Sequence, residues 1–240
     1  MRNVLFISLG CDKNLVDSEK MLGLLKESGY QIVEEEAEAD AIVVNTCCFI
    51  HDAKEESIET ILDMARWKEE GRLKVLLITG CLAQRYAQEI EEAIPEVDAV
   101  IGTTGYGEIV SVMNQLFEKK EEGLVTYCPD IDLLPPSFTD KRVVTTGGYT
   151  AYLKIAEGCN KRCTYCIIPY IRGHYRSFPM EDLVEEAKIL AADGVKELIL
   201  IAQETTVYGV DLYGKKALPE LLHKLCAIND LEWIRILYCY

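Results

Sequence analysis

The chain has 240 residues, 49% of them hydrophobic, and a formal net charge of −15. This composition excludes wholesale disorder, and the length allows one large domain or two ordinary ones. No apolar run approaches the roughly 20 residues of a membrane span, and an acidic balance argues against non-specific nucleic-acid binding, which depends on Lys and Arg facing phosphates. Since the N-terminus lacks a convincing export signal, we expect a cytoplasmic protein without membrane contact, whose clustered cysteines bind metal or do redox work.

Short apolar runs alternate with helical patterns in the first half of the chain. Strands are predicted at residues 4–8, 41–44, 75–79 and 99–101, and helices at 15–26, 56–68, 83–93 and 109–117. Continuous apolar strands are typical of a parallel sheet that is buried on both faces. The alternation predicts a doubly wound α/β domain over residues 1–118.

A Pro- and Gly-containing stretch at 119–148 lacks periodicity and is predicted to be a connector, with a hairpin around 124–127. A second alternation follows it. Strands are predicted at 151–156, 198–202 and 233–240, and helices at 180–192 and 218–227. Because a parallel strand needs neighbours, we expect residues 149–240 to be the first part of a larger barrel or sheet, truncated after its third strand.

Three cysteines with the spacing C-x3-C-x2-C come directly after the strand predicted at 151–156: Cys159, Cys163 and Cys166. Parallel α/β sheets and barrels place their sites on loops at this end of a strand. Thiolates favour iron–sulfur clusters or zinc, and three ligands leave one metal position open, as in catalytic sites. An iron–sulfur cluster is the favoured interpretation. Zinc, with His174 as the nearest further ligand, and inert buried thiols are the alternatives.

Three further cysteines are far apart in sequence but stand at or just after the ends of predicted strands: Cys11, Cys47 and Cys81. Parallel strands end on the same edge of a sheet, so these thiols should converge. The pattern predicts a second three-thiolate site. The alternative is that all three are core residues, since free cysteine is often buried as a small hydrophobe.

The loop with Cys159, Cys163 and Cys166, with Tyr165 just before the third cysteine, resembles that of the radical S-adenosylmethionine enzymes. Together, the two cysteine triads resemble those of one family of these enzymes, the methylthiotransferases. This resemblance extends over essentially the whole chain. The motifs that carry this resemblance are SLGCDKNLVDSE at 8–19, NTCCFI at 45–50, TGCL at 79–82, and the stretch from KIAEGC at 154–159 to IPYIRG at 168–173.

The resemblance implies an N-terminal parallel-sheet α/β domain followed by a partial radical-SAM (βα) barrel. It also implies two 4Fe–4S clusters and S-adenosylmethionine, which acts as methyl donor and as source of a 5′-deoxyadenosyl radical. The implied cluster ligands are Cys11, Cys47, Cys81, Cys159, Cys163 and Cys166, and the implied cofactor-binding residues are Tyr165, Gln203 and Glu204. No catalytic side chain is assigned. Cys48 stands where the family commonly has Gly, which makes it a competitor of Cys47.

Two segments, GCDKN at 10–14 and AQETTVYGVD at 202–211, resemble the branch that modifies the β-carbon of an aspartate in small-subunit ribosomal protein twelve. Glu204 stands where that branch usually has Asp. The net charge of −15 suits a basic ribosomal protein. The alternatives are a tRNA adenosine methylthiotransferase and an inactive iron–sulfur-binding fragment. The resemblance further implies an electron donor such as flavodoxin or ferredoxin, and we expect a monomer.

Overall fold

The computed structural model describes residues 2–118, 123–135 and 142–240. The chain divides into two compact units, Met1–Pro135 and Pro136–Tyr240. The connector predicted at 119–148 lies partly outside the described residues, at 119–122 and 136–141.

The first unit is a parallel α/β sheet. Its strands are β1 (Arg2–Ser8), β2 (Tyr30–Val33), β3 (Ala41–Thr46), β4 (Val75–Gly80), β5 (Ala99–Ile101) and β6 (Val125–Tyr127). Its α-helices are α1 (Asp12–Glu27), α2 (His51–Glu69), α3 (Cys81–Ala93) and α4 (Ile109–Glu118). All strand pairs are parallel, in the order β2-β1-β3-β4-β5-β6. The predicted parallel-sheet α/β fold is therefore confirmed for this unit.

The strand order determines where this sheet offers a crevice. Every residue of β3 and β4 is buried, so the apolar runs form the centre of the sheet. The chain passes from β1 to β2 on one side and then to β3 on the other side of β1. In such sheets, ligands bind outside the carboxyl ends of the two strands where the order reverses. The sequence places Cys11 shortly after β1 and Cys47 directly after β3, at that crevice.

The second unit contains a three-stranded parallel sheet in the order β11-β10-β7, and an antiparallel pair of β8 and β9. Its strands are β7 (Thr150–Lys154), β8 (Ala156–Glu157), β9 (Arg176–Ser177), β10 (Glu197–Ile201) and β11 (Trp233–Ile236). Its helices are α5 (Ile168–Ile171), α6 (Met180–Ala192), α7 (Val210–Tyr213) and α8 (Leu218–Cys226). The three predicted parallel strands are thus confirmed, with α6 and α8 as the helices between them.

Two predictions about local structure are wrong. The segment around 124–127 is not a hairpin, because β6 pairs in parallel with β5. Helix α4 connects the two strands, and such a crossover returns the chain in the same direction. The strand predicted at 233–240 ends at Ile236. No helix in the described part of the chain is both long enough and apolar enough to cross a membrane.

Candidate functional sites

The three cysteines of the loop in the second unit line the same cavity. Cys159, Cys163 and Cys166 all line a space of about 440 Å³, together with Arg162, Thr164, Pro169, Tyr170 and His174. Cys163 is exposed, whereas Cys159 and Cys166 are half-buried. The loop turns tightly, since the Cys166 N–H donates to the Cys163 carbonyl at 3.0 Å. The structure therefore brings the predicted C-x3-C-x2-C triad together on an accessible concave surface.

A close backbone approach fixes the start of this loop. The Cys159 N–H donates to the Gly173 carbonyl at 3.1 Å. Gly158 has a φ of +68°, and a Cβ atom added there would lie 2.0 Å from the His174 carbonyl oxygen. Only glycine permits both the left-handed backbone and this contact.

Gly158→Ala should therefore displace the loop and lower the iron that Cys159, Cys163 and Cys166 retain after anaerobic reconstitution. Gly71→Ala is the matched control, because Gly71 has a φ of +73° with nothing within 4 Å of an added Cβ. The control should cost only the backbone strain, about 1–2 kcal/mol, and keep its iron. Equal iron content in both variants would contradict this role of Gly158.

A buried ion network lies beside the loop. Lys154 pairs with Glu157, and Arg172 Nη1 lies 3.3 Å from a Glu157 carboxylate oxygen. All three residues are at most 3% exposed. Burial alone would raise the pKa of Glu157, but the Lys154 ammonium and the Arg172 guanidinium outweigh it and lower the pKa to about 2. Arg172 is 2% exposed, so its charge pairs with Glu157 inside the protein and does not contribute to the surface.

A second cavity of about 400 Å³ lies on another side of Cys159. It is lined by Cys159, Asn160, Lys161, Tyr175, Glu204, Val207, Val210 and Asp211. Glu204 is 2% exposed and pairs with Lys161. Burial would raise the pKa of Glu204, but hydrogen bonds from Lys161 and Thr206 lower it below its usual range. A buried carboxylate that holds an ammonium group is thus present next to a cluster-ligand candidate.

Tyr165 and Gln203 are the other two residues that the resemblance implies for cofactor binding. Neither is among the described residues that line the two cavities. Tyr165 is 89% exposed, and Gln203 is half-buried. Their role stays a prediction.

The N-terminal triad lies at the carboxyl edge of the first unit's sheet. Cys47 directly follows β3 and Cys81 directly follows β4. A Cβ atom added to Gly10 would lie 3.2 Å from Cys47 Sγ, so Cys47 packs against the residue that precedes Cys11. The neighbouring Cys48 is also buried, so burial does not distinguish the two thiols of this pair.

Asn14 joins the ends of these strands, although the sequence did not single it out. Its Nδ2 donates to the carbonyls of Leu9, at 3.1 Å, and Thr46, at 2.9 Å. Its Oδ1 accepts a hydrogen bond from Cys81 Sγ at 3.7 Å. One buried amide thus contacts the segments that carry all three thiols.

Asn14→Leu, which keeps the volume but removes these hydrogen bonds, should destabilise the first unit by about 1–3 kcal/mol for each buried carbonyl left unsatisfied. It should also lower the iron bound by the N-terminal triad. Urea unfolding and iron analysis measure the two effects. Gln88→Leu on the exposed face of α3 is the control and should change stability by no more than about 0.5 kcal/mol. Unchanged stability and iron in Asn14→Leu would refute this role.

Neither cysteine triad is drawn together around one point in this structure. Among the described residues, the only three potential ligand atoms within 4.8 Å of one another belong to His51, Asp52 and Glu55, all exposed. Neither thiol triad has all three sulfur atoms that close together. The three thiols on the concave surface of the second unit fit an iron–sulfur cluster with one uncapped iron, because thiolates favour such clusters and three ligands leave one metal position open.

Comparison with known proteins agrees with the motifs. Residues 3–102 match a family model described as uncharacterized protein family UPF0004, and residues 153–239 match the radical SAM superfamily. A protein named ribosomal protein uS12 methylthiotransferase RimO from Lachnoclostridium phytofermentans is 65% identical over 239 residues, which is 99% of this chain and 53% of that protein. The chain is thus similar to a protein of this name along almost all of its own length. A RimO relative from Acetivibrio thermocellus is 52% identical over 100% of this chain and 53% of its own length. The chain thus spans about half the length of these curated relatives.

Solved structures support the fold. The radical S-adenosylmethionine methyltransferase TsrM from Kitasatospora setae, with tryptophan substrate and a SAM analogue bound, superposes with a TM-score of 0.58 at 13% identity, over 93% of this chain and 51% of TsrM. The cobalamin-dependent S-adenosylmethionine radical enzyme OxsB gives a TM-score of 0.61 at 11% identity, over 94% of this chain and 36% of OxsB. At such low identity, the likeness concerns the fold alone.

Proposed function

We propose that this chain is the cluster-binding part of an enzyme that methylthiolates the β-carbon of an aspartate in ribosomal protein uS12. The observation that carries the proposal is the single cavity lined by Cys159, Cys163 and Cys166 beyond the end of β7. The 65% identity to a RimO relative over 99% of the chain supports the choice of reaction.

Each cysteine triad holds one 4Fe–4S cluster in this proposal. Cys159, Cys163 and Cys166 ligate the first, and Cys11, Cys47 and Cys81 ligate the second. When bound, the first cluster would supply the electron for the reductive cleavage of S-adenosylmethionine, and a further S-adenosylmethionine would supply the methyl group. Glu204 binds the ammonium group of this cofactor in place of Lys161, while Gln203 and Tyr165 are further contacts.

The chain's net charge of −15 supports a basic protein partner over the phosphate backbone of a tRNA. A flavodoxin or ferredoxin supplies electrons, and the chain works as a monomer in the cytoplasm. These partner assignments rest on the family resemblance and on charge.

Mass spectrometry of a strain that lacks the gene tests the reaction. Ribosomal protein uS12 should lose its methylthio group, tRNA should keep its methylthio nucleosides, and a plasmid copy should restore uS12. Loss from tRNA alone would identify the tRNA adenosine reaction instead and refute the proposal.

A further inference from the structure

One buried serine holds both backbone hydrogen-bonding groups of Cys47. The Cys47 N–H donates to Ser57 Oγ at 3.0 Å, and the Ser57 hydroxyl lies 2.9 Å from the Cys47 carbonyl oxygen, which accepts its proton. Ser57 belongs to α2 and is fully buried. Its hydroxyl also lies 2.8 Å from the Ala53 carbonyl oxygen, so its single proton is shared between two carbonyls. The backbone of Cys47 is thus attached to α2 at two atoms.

The side chain of Cys47 lies against Gly10. A Cβ atom added to Gly10 would lie 2.8 Å from Cys47 Cβ, 3.0 Å from Asn14 Nδ2 and 3.2 Å from Cys47 Sγ. Gly10 directly precedes Cys11, and the Asn14 amide accepts a hydrogen bond from the Cys81 thiol at 3.7 Å. The Cys47 thiol is therefore close to the segments that carry the other two thiols of its triad.

The attachment to Ser57 distinguishes the two adjacent cysteines, although both are buried. The three atoms nearest to the added Cβ of Gly10 include two of Cys47 and none of Cys48. To bring the Cys48 thiol to the same place, the backbone would have to turn and break the hydrogen bonds between Cys47 and Ser57. Buried N–H and C=O groups left without these partners would oppose that exchange.

We propose that Ser57 is a positioning residue, which holds the backbone of Cys47 so that this thiol, and not that of Cys48, completes the N-terminal triad. This inference rests on the proposed function, which supplies the cluster. The Ser57 hydroxyl also occupies the Cys47 N–H, which could otherwise donate to a sulfur of the cluster. Hydrogen bonds to those sulfurs help to set the reduction potential of a cluster.

The choice between the two cysteines is tested in a chain with Cys159, Cys163 and Cys166 changed to alanine, so that only the N-terminal cluster binds. After anaerobic reconstitution of this chain, Cys47→Ala should lose most of the iron, whereas Cys48→Ala should keep it. Equal or reversed iron contents would refute the inference and leave the proposed cluster in place. If the chain binds no iron before either change, the proposed N-terminal cluster itself fails.

Ser57→Ala in the same chain tests the role of the hydroxyl. It should lower the iron content and shift the reduction potential of the remaining cluster to a higher value, because the freed Cys47 N–H can donate to a cluster sulfur and stabilise the reduced state. Ser57→Thr keeps a hydroxyl and should restore both properties. Iron analysis and a redox titration followed by electron paramagnetic resonance measure them.

Thr60→Ala is the matched control. Thr60 Oγ1 donates to the Glu56 carbonyl at 2.8 Å, which is the same kind of bond within α2 that Ser57 makes with Ala53. This variant should keep its iron and its reduction potential. An unchanged potential in Ser57→Ala, with or without a loss of iron, would overturn the inference, because a purely structural serine would not alter the clusters that remain.

Discussion

Cys163→Ala should abolish the release of 5′-deoxyadenosine when the reconstituted chain is reduced in the presence of S-adenosylmethionine. Cys163 is the exposed member of the triad that lines the 440 Å³ cavity. Without its thiolate, two ligands remain where a 4Fe–4S cluster with one uncapped iron requires three. The cluster should be lost, and with it the source of the electron. Liquid chromatography of the reaction measures the nucleoside, and iron analysis should show about half of the unmodified content.

Cys226→Ala is the control for the Cys163 variant. Cys226 is also exposed but lies at the end of α8, away from the cysteine motif in sequence. It should retain both iron and nucleoside release. Normal release of 5′-deoxyadenosine by Cys163→Ala would show that this residue is not a ligand of the cluster that cleaves the cofactor.

Glu157→Gln should destabilise the second unit by about 3–5 kcal/mol, the typical cost of removing one partner from a buried ion pair. The carboxylate is shared by Lys154 and Arg172, and all three groups are buried. Glutamine preserves the shape but not the charge, so two buried cations lose their common anion. Urea unfolding monitored by circular dichroism measures the change. Because Glu157 stands two residues before Cys159, weaker retention of the adjacent cluster should accompany it.

Glu185→Gln provides the comparison with an exposed ion pair. Glu185 and Lys188 are both more than half exposed, so losing their ion pair should cost no more than about 1 kcal/mol. Similar losses in the two variants would mean that the Glu157 network contributes no more than a surface pair.

The parallel strands could be predicted from the sequence because their apolar runs are continuous. Residues 41–46 and 75–80 are buried throughout, and runs this short are typical of buried strands because helices usually need at least about 10 residues. Shorter strands lack this signal. β2 has only four residues, of which two are exposed, and β6 has three with little burial. β2 and β6 form strands because they pair with neighbouring strands in the sheet, and the sequence of the two segments does not show this pairing.

The cysteines of the candidate sites could be predicted from the sequence, because they follow strand ends or share a short motif. The residues that surround these cysteines are distant in sequence and come close only in the folded structure. Arg172 reaches Glu157 from 15 positions along the chain, and Asn14 reaches Thr46 from 32. Tyr175 stands 16 positions after Cys159 in sequence, and it lines the same cavity because β9, which follows it, pairs with β8. No local pattern could have indicated these contacts.

The most direct test of the two-cluster account is the iron and acid-labile sulfide content of three anaerobically reconstituted proteins. These are the unmodified chain, a variant with Cys11, Cys47 and Cys81 changed to alanine, and a variant with Cys159, Cys163 and Cys166 changed to alanine. Each variant should bind about half of the iron of the unmodified chain, with the spectroscopic signature of a 4Fe–4S cluster. Full iron content in the N-terminal variant would contradict the convergence of Cys11, Cys47 and Cys81 on a cluster.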